Sequence, residues 1–282
     1  MEGSLRGKVA LITGGSRGIG RGIALELGAR GCHVVLTARD RAALESVAAE
    51  IRARGGDASV YAADLCPEAA ADALVETVKR DTGRLDILVN NAGAVKRGSF
   101  FTLAERDWQD GFALKFFAHV RLSRSLWPLL KQSGGSVVFI SGIGARAPVA
   151  DYMIGASVIG ASLAFMRALA DIGKEDGVQV LAINPGSVET DRFRHRLAII
   201  MKSTGLDEAT ARERHRRELE ITRFGTPEDV AALVAFVVSP RGRWLHGTAI
   251  DIDGGQWNPL RMAKYDQPAA AIHDDEARSP GE

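Results

Sequence analysis

Three glycines near the start of the chain have a spacing that could bind phosphate groups. Gly14, Gly18 and Gly20 follow an apolar, β-branched stretch at residues 9–13 and precede a segment with helical periodicity. Glycine lets the backbone approach a pyrophosphate closely, and a helix N-terminus offers free N–H groups and a positive dipole end. Residues 13–20, termed the glycine turn, therefore predict a dinucleotide site; an ordinary tight turn between strand and helix is the alternative.

The elements that must hold the glycine turn alternate regularly along the chain. Runs of apolar and β-branched residues are separated by segments with helical periodicity, which is typical of parallel βαβ units with right-handed crossovers. The sequence therefore predicts an α/β fold, a Rossmann-type doubly wound, seven-stranded parallel sheet with helices on both faces. The predicted strands are residues 9–13, 33–38, 59–63, 86–90, 136–140, 178–184 and 247–252, and the two longest predicted helices are residues 105–131 and 152–174.

No linker or repeat interrupts this alternation, so we expect a single dinucleotide-binding domain over residues 1–255. Residues 191–223, termed the lobe, stand outside the pattern, with eight Lys or Arg against three Asp or Glu between Arg192 and Arg217. The lobe follows a strand end, which is where ligands bind in open α/β sheets. It is either a solvated helical extension or a mobile lid that attracts an acidic substrate. The tail, residues 256–282, is expected to be partly disordered.

Composition and charge argue against several kinds of partner. The chain of 282 residues is 46% hydrophobic and has a net charge of +1, which favours neither nucleic acid nor an anionic membrane. The longest strongly apolar run, residues 231–238, is too short to cross a bilayer, and the N-terminus lacks a signal-peptide pattern. Cys32 and Cys66 form no C-x-x-C pair, and the six histidines show no metal-ligand spacing. We expect a soluble cytoplasmic protein without a metal.

Further motifs agree in order and spacing with one family of enzymes. They are T-G-G-S-R-G-I-G at 13–20, Asp64-Leu65, N-N-A-G at 90–93, N-P-G-S-V-E-T at 184–190, G-T-P-E-D-V at 225–230 and the D-G-G that ends at 255. From Lys8 to Gly255 the chain thus resembles the short-chain dehydrogenase/reductase family. The resemblance implies a bound nicotinamide cofactor, a small-molecule substrate and a homo-oligomer, either dimer or tetramer. It assigns cofactor binding to Gly14, Ser16, Arg17, Gly18, Ile19, Gly20, Arg39, Asp64, Leu65, Asn91, Ala92, Gly93, Pro185, Gly186, Val188 and Thr190.

The charges at the end of the second predicted strand favour one form of the cofactor. A carboxylate at that position binds a ribose 2′-hydroxyl and repels a 2′-phosphate, whereas arginine does the reverse. Ala38 occupies the acidic position, Arg39 follows it, and Arg17 adds a second cation within the glycine turn. The sequence therefore predicts NADP(H) in preference to NAD(H). Two solvated arginines beside an NAD site are the alternative.

At the positions where the family carries its catalytic side chains, this chain has other residues. The family has Asn, Ser, Tyr and Lys there, and the resemblance places these positions at Lys115, Gly142, Gly155 and Ile159. Isoleucine cannot hold a ribose hydroxyl, and glycine has no proton to give. The usual tyrosinate mechanism is therefore not expected to operate, and we predict an atypical active site.

Three nearby side chains are candidates to replace the missing acid: Lys115, Tyr152 and Ser141. Loss of the family's Tyr and Lys side chains should open a cavity in which desolvation lowers the pKa of the Lys115 ammonium. Tyr152 lies one helical turn before Gly155 and could present its phenol. Alternatively, Lys115 neutralises a carboxylate or reaches solvent, Tyr152 only lines the pocket, and Ser141 points into the core.

Together these residues predict an NADP(H)-dependent oxidoreductase that acts on a carbonyl or alcohol through a non-standard active site. Two alternatives keep the fold. One is a lyase, isomerase or cyclase with Lys115 as its base, and the other is a non-catalytic NADP(H)-binding partner or sensor. The lobe and residues 94–102 are expected to select the substrate.

Overall fold

Seven parallel strands in residues 5–256, the part of the chain that the computed structural model describes, form one sheet in the order β3-β2-β1-β4-β5-β6-β7. The strands are β1 (Val9–Thr13), β2 (His33–Ala38), β3 (Asp57–Ala62), β4 (Ile87–Asn90), β5 (Ser136–Ile140), β6 (Gln179–Pro185) and β7 (Ala249–Ile252). β1, β4, β5 and β6 are buried at every position, because helices cover both faces of a parallel sheet. The predicted fold is confirmed; β3 begins two residues before the predicted start and β7 begins two residues after it.

Helices connect the strands and carry apolar stripes that face the sheet. In the described residues these are α1 (Gly18–Ala29), α2 (Arg41–Ala53), α3 (Glu68–Thr82), α4 (Glu105–Phe112), α5 (Ala118–Ser133), α6 (Met153–Asp176), α7 (Asp191–Thr204), α8 (Glu208–Glu218) and α9 (Pro227–Val237). Some starts are capped as the sequence indicates: Asp40 accepts from the Ala43 N–H at 3.0 Å.

The helices divide into two layers, each with its own part of the core. On one face, Ile23, Leu44 and Val230 of α1, α2 and α9 pack in one buried cluster with β1 and β2. On the other, helices α3, α5 and α6 supply a second cluster that includes Leu126 and Met166. This two-sided burial fixes the strand ends and so the loops that leave them.

The order in which strands are added reverses between β1 and β4. From β1 the chain proceeds outward to β2 and β3, then crosses back to β4 and continues outward on the other side. Loops from neighbouring strands therefore leave in opposite directions and open a crevice at the carboxyl ends of β1 and β4, which is where ligands bind in such sheets. We term this space the cofactor crevice. The glycine turn follows β1, and the floor segment, Asn90–Gly93, ends β4 and follows it.

The helix predicted over residues 105–131 is interrupted. α4 ends at Phe112, a five-residue π-helical turn covers Ala113–Phe117, and α5 then runs to Ser133. A π turn widens the helix locally, and such turns are frequent at functional sites. Its one buried residue is Lys115.

Two other regions refine the sequence-based expectations. Residues 150–176, which include α6, form the only helical segment of the described residues long and apolar enough to span a membrane, and the sequence analysis overlooked it. Ile154, Val158 and Met166 of α6 are buried in this fold, as in a core helix.

The lobe folds into α7 and α8 around its own small apolar cluster. Most of the predicted disordered tail lies outside the described residues.

A threonine at the end of β1 fastens the glycine turn to the floor segment. The buried Thr13 hydroxyl donates to the Val89 carbonyl at 3.2 Å and accepts the N–H groups of Asn91 and Ala92, both at 2.9 Å. The Asn91 amide in return donates to the Thr13 carbonyl at 2.8 Å and to the Gly14 carbonyl at 3.2 Å. One hydroxyl thus accepts two backbone donors: the Ala92 N–H, which has no other acceptor among the described residues, and the Asn91 N–H, which also donates to the Val89 carbonyl at 3.1 Å.

Replacing Thr13 with valine should therefore destabilise the protein well beyond the loss of one hydrogen bond. Valine keeps the shape but leaves the Ala92 N–H without an acceptor and the Asn91 N–H with the Val89 carbonyl alone, at a cost of about 2 kcal/mol in the free energy of unfolding. Urea denaturation measures this, with Thr77→Val as the control, because the hydroxyl of the half-buried Thr77 donates to the Ala73 carbonyl in its own helix and bonds to no other group in the described residues. Equal small losses for the two variants would contradict the role given to Thr13.

Candidate active site

Close backbone contacts make glycine necessary at the glycine turn. Gly14 has φ +68°, and a Cβ there would lie 2.9 Å from the Asn91 amide nitrogen. A Cβ on Gly20 would collide with the Gly14 carbonyl oxygen. α1 begins at Gly18, and the preceding residue, Arg17, makes no side-chain cap. The first N–H groups of α1 are therefore available to a phosphate, so the turn fits the predicted dinucleotide.

The segments that follow the other strands converge on the same crevice. The methyl group of Thr190, after β6, lies 3.3 Å from where a Cβ on Gly18 would be. A Cβ on Gly186 would lie 2.7 Å from the Asp253 Cβ, so this backbone is also closely packed. The remaining predicted cofactor residues stand at carboxyl ends of strands or on the glycine turn: Ser16 and Ile19 on the turn, Asp64 and Leu65 after β3, Asn91, Ala92 and Gly93 after β4, and Pro185 and Val188 at the end of β6.

A cation and a carboxylate are exposed just after β2, and the carboxylate caps a helix. Arg39 is exposed there, and the neighbouring Asp40 is engaged in capping α2. The Asp64 carboxylate, after β3, accepts the Cys66 N–H at 3.1 Å. Arg17 is exposed on the turn, with its guanidinium 3.8 Å from the Asp191 carboxylate of the lobe. This end of the crevice can therefore offer guanidinium groups to an anion.

Lys115 lies at the end of the crevice next to β5, the end at which the sequence analysis expects catalysis. Its Nζ donates to the Ser141 carbonyl at 2.9 Å, and its side chain is only 7% exposed. Its Cβ, Cγ and Cδ atoms lie along Gly93, where a Cβ would approach Lys115 Cδ to 2.9 Å. Burial, and secondly the positive charge of Arg192, lower the pKa of Lys115 to about 7. The alternatives of reaching solvent and of neutralising a carboxylate do not hold for the described residues.

Arg192 brings the lobe across the crevice to the floor segment. Its guanidinium Nη2 donates to the Gly93 carbonyl at 3.0 Å, and Gly93 also contacts the Lys115 side chain. Its neighbour Asp191 faces Arg17 of the glycine turn. Two consecutive residues at the start of α7 thus reach both walls of the crevice. Sequence reasoning recognised a basic lobe but not this placement, which depends on how α7 leaves β6.

Tyr152 fills the space beside Gly155. It ends a short 3₁₀ turn, Ala150–Tyr152, and its ring stands where any side chain at Gly155 would be. The Arg97 guanidinium stacks on the other side of the ring, 4.2 Å from its centroid. The expected open cavity at Gly155 is therefore wrong, because an aromatic ring from one turn earlier occupies it.

The remaining positions singled out at the end of β5 are packed. Ser141 is buried, and the group it presents to Lys115 is its backbone carbonyl. Gly142 has φ +134°, which a residue with a side chain adopts only with strain, and its N–H donates to the Asn184 side chain at 3.4 Å. Ile159 is 2% exposed and directs its Cδ1 atom towards Gly142 and Gly144.

His119 supports the floor segment and was missed by sequence reasoning. It is buried one helical turn after Lys115, and its Nε2–H donates to the Ala92 carbonyl at 2.8 Å. Burial, followed by the charge of Lys115, lowers the pKa of His119 to about 3, so it is neutral near pH 7. Its position four residues after Lys115 was the available signal, because i and i+4 share a helix face.

Comparison with known proteins agrees with this geometry. The sequence model of the short chain dehydrogenase family matches residues 8–198. A short chain dehydrogenase/reductase of Aspergillus novofumigatus, nsrJ, is 33% identical over 257 residues, which cover 90% of this chain and 97% of that protein.

Similar solved structures contain bound nicotinamide cofactors. L-sorbose reductase from Gluconobacter frateurii, in complex with NADPH and L-sorbose, has a TM-score of 0.88 at 33% identity, covering 92% of this chain and 100% of that one. A 3-ketoacyl-(acyl-carrier-protein) reductase from Brucella melitensis, in complex with NADH, has a TM-score of 0.79 at 31% identity, covering 90% and 99%. These names and bound cofactors support an oxidoreductase with a nicotinamide cofactor, and the chain belongs to the short-chain dehydrogenase family.

Proposed function

We propose that the protein is an NADP(H)-dependent reductase of carbonyl compounds, or a dehydrogenase of the corresponding alcohols, in which Lys115 exchanges the proton. One observation carries the proposal: a buried amine with a pKa of about 7 stands against the floor segment, beside the carboxyl end of β5. A group that titrates near the operating pH can both hold and release a proton, which suits a general acid.

The residues of the chain divide the task. The glycine turn and the start of α1 bind the phosphates, and Thr190 and the floor segment flank the crevice. When bound, the nicotinamide supplies a hydride to the carbonyl carbon. The carbonyl oxygen then takes a proton from Lys115 Nζ as the C=O π bond breaks, which leaves the alcohol and a neutral amine. The Ser141 carbonyl orients one N–H of Lys115, so the others can face the substrate.

The proposed site is non-standard because three of the family's usual catalytic positions carry other residues. Through its resemblance to the family, we assign the usual Ser, Tyr and Lys positions to Gly142, Gly155 and Ile159, none of which carries an exchangeable proton on its side chain. The positive φ at Gly142 and the Tyr152 ring over Gly155 indicate a surrounding structure adapted to glycine at both places. Tyr152 is the second candidate donor, because its ring lines the same region.

The preference for NADP(H) rests on Arg17 and Arg39. Both guanidinium groups are exposed, the position of Ala38 carries no carboxylate to repel a 2′-phosphate, and the Asp40 carboxylate accepts the Ala43 N–H at the start of α2. A carboxylate in place of Arg39 would restore the pattern that suits NAD(H).

Arg39→Asp should therefore weaken NADPH binding and spare NADH binding. We expect the Kd for NADPH to rise by about 10- to 100-fold, the range for a lost charge-assisted hydrogen bond, with little change for NADH. Nicotinamide fluorescence titration measures both constants. Arg41→Gln is the matched control, because Arg41 pairs with Glu45 on α2. Equal losses for the two cofactors would contradict the assignment.

The buried amine should leave a signature in the pH dependence of stability. Between pH 7 and pH 10.5 the unfolded chain holds the Lys115 proton while the folded protein has released it, so wild-type stability rises with pH there. Below pH 7 both states are charged and the burial penalty is fully present. From pH 6 to pH 9, the free energy of unfolding of the wild type should therefore increase by about 3 kcal/mol relative to that of Lys115→Met.

Urea denaturation at the two pH values measures this difference. Lys131→Met serves as the control, because the exposed Lys131 pairs with Asp176 and should show no such shift. A pH-independent difference for Lys115→Met would show that Lys115 is not desolvated.

Turnover tests the chemistry directly. In a screen of carbonyl compounds with NADPH, we expect Lys115→Met to lower kcat/KM by about 100- to 10,000-fold while the Kd for NADPH changes little. Wild-type reduction should fall as the pH rises through about 7, because the neutral amine cannot donate to the oxyanion. Tyr152→Phe keeps the ring and removes the phenol, so it reports on the second candidate. Undiminished turnover in Lys115→Met would refute the mechanism.

The pKa of Lys115 also suits a second candidate function, that of a lyase or isomerase. Near pH 7 about half of Lys115 is the free amine, which is a competent base for a lyase or isomerase on the same fold. NADPH binding without NADPH consumption, combined with substrate conversion that requires Lys115, would identify that case. Binding with no conversion across the screen would favour a non-catalytic NADP(H)-binding protein.

A further inference from the structure

The catalytic end of the crevice holds two cations without a counter-charge. Lys115 and Arg192 both contact Gly93: the lysine stem lies where a Cβ of Gly93 would point, and the Arg192 guanidinium uses one of its donors on the Gly93 carbonyl. Each raises the energy of the other's charge, as the effect of Arg192 on the pKa of Lys115 shows. No carboxylate of the described residues pairs with either, and the neighbouring His119 is neutral. Such a pair is stabilised by an anion placed between or beside the two groups.

A second group of charges, next to Tyr152, is positive as well. Arg97 donates to the Asp151 carboxylate at 2.8 Å, and Arg196 of α7 lies 3.9 Å from the same carboxylate. One acidic group is thus shared by two guanidinium groups. This group of charges is therefore positive on balance and can attract an anion.

We propose that the substrate carries a carboxylate next to its reacting carbonyl group, and that the Arg192 guanidinium binds this carboxylate beside Lys115. Arg192 is then a specificity-determining residue, and the substrate class is that of 2-oxo acids and the corresponding 2-hydroxy acids. The inference rests on the proposed function for the identity of the reacting carbonyl. The fork of N–H donors in Arg192 matches a carboxylate in two parallel hydrogen bonds.

The other source of an oxyanion is the pyrophosphate of the cofactor, and the geometry favours the substrate. The phosphate-binding groups are the glycine turn and the start of α1, next to Arg17. Lys115 and Arg192 meet further along the crevice, on the floor segment and towards the Ser141 carbonyl at the end of β5. A carboxylate there also compensates the buried charge of Lys115, which keeps its proton available for the carbonyl oxygen.

A set of paired ligands tests the proposal. We would use 2-oxo acids of graded side-chain size, each with its uncharged primary amide, and measure two quantities on the full chain. The first is NADPH-dependent kcat/KM. The second is calorimetric affinity in the presence of saturating NADP⁺, where no hydride is available and a 2-oxo compound binds without reacting. We expect the preferred acid to exceed its amide by about 10- to 100-fold in both measurements.

Two variants test whether Arg192 causes the preference for acids over amides. Arg192→Gln should reduce the acid-to-amide ratio to about threefold or less, with amide affinity nearly unchanged. Because Arg192 is exposed, we expect the variant to fold as the wild type does, and circular dichroism checks this. Arg214→Gln is the control, because Arg214 belongs to the same lobe and pairs with Glu218 on α8. It should leave the ratio as in wild type.

The outcomes separate this inference from the proposed function. Tighter binding of acids that depends on Arg192, without NADPH oxidation, would support the carboxylate site and refute the reductase. NADPH oxidation with no preference for acid over amide anywhere in the series would refute the carboxylate site and leave the reductase standing. A rise in the NADP⁺ Kd in Arg192→Gln with an unchanged acid-to-amide ratio would assign the anion to the cofactor pyrophosphate and overturn the proposal.

Discussion

The structure of the site depends on the hydrogen bonds of the Thr13 hydroxyl. This one buried group joins the end of β1 to the segment after β4 by taking the N–H groups of Asn91 and Ala92. Because the sheet reverses its order between these two strands, nothing in the regular ladder holds their loops together. The hydroxyl, together with the Asn91 amide that donates to the Thr13 and Gly14 carbonyls, therefore sets the distance between the glycine turn and the floor segment, and with it the width of the cofactor crevice.

The position of the candidate acid follows from that distance. Gly93 ends the floor segment, and its lack of a side chain is what lets the Lys115 stem lie against it. The π turn at Ala113–Phe117 includes Lys115 and directs its amine to the Ser141 carbonyl, and His119 holds the adjacent Ala92 carbonyl. Sequestered from water and from carboxylates, the amine loses affinity for its proton. Its reactivity is thus a property of the packing and not of lysine alone.

Sequence reasoning reached the sheet and the glycine turn because both are encoded locally. Buried parallel strands read as short apolar runs, and glycines mark the places where backbone comes close. It also named Lys115 as a candidate, from a family pattern, and the structure shows that this side chain is buried. It missed the three-way bonding of Thr13, the π turn and the Tyr152 ring over Gly155, since each is decided by contacts between segments far apart in sequence or by a subtle change in helix winding.

The lobe connects the two halves of the crevice. Asp191 faces Arg17, which belongs to the proposed 2′-phosphate site, while Arg192 faces Gly93 and Lys115. A phosphate that engages Arg17 competes with Asp191 for the same guanidinium, and a carboxylate that engages Arg192 competes with the Gly93 carbonyl. Both contacts sit on the first turn of one helix, so cofactor and substrate act on the same element. Binding at one end of the crevice is therefore expected to change how α7 is held at the other.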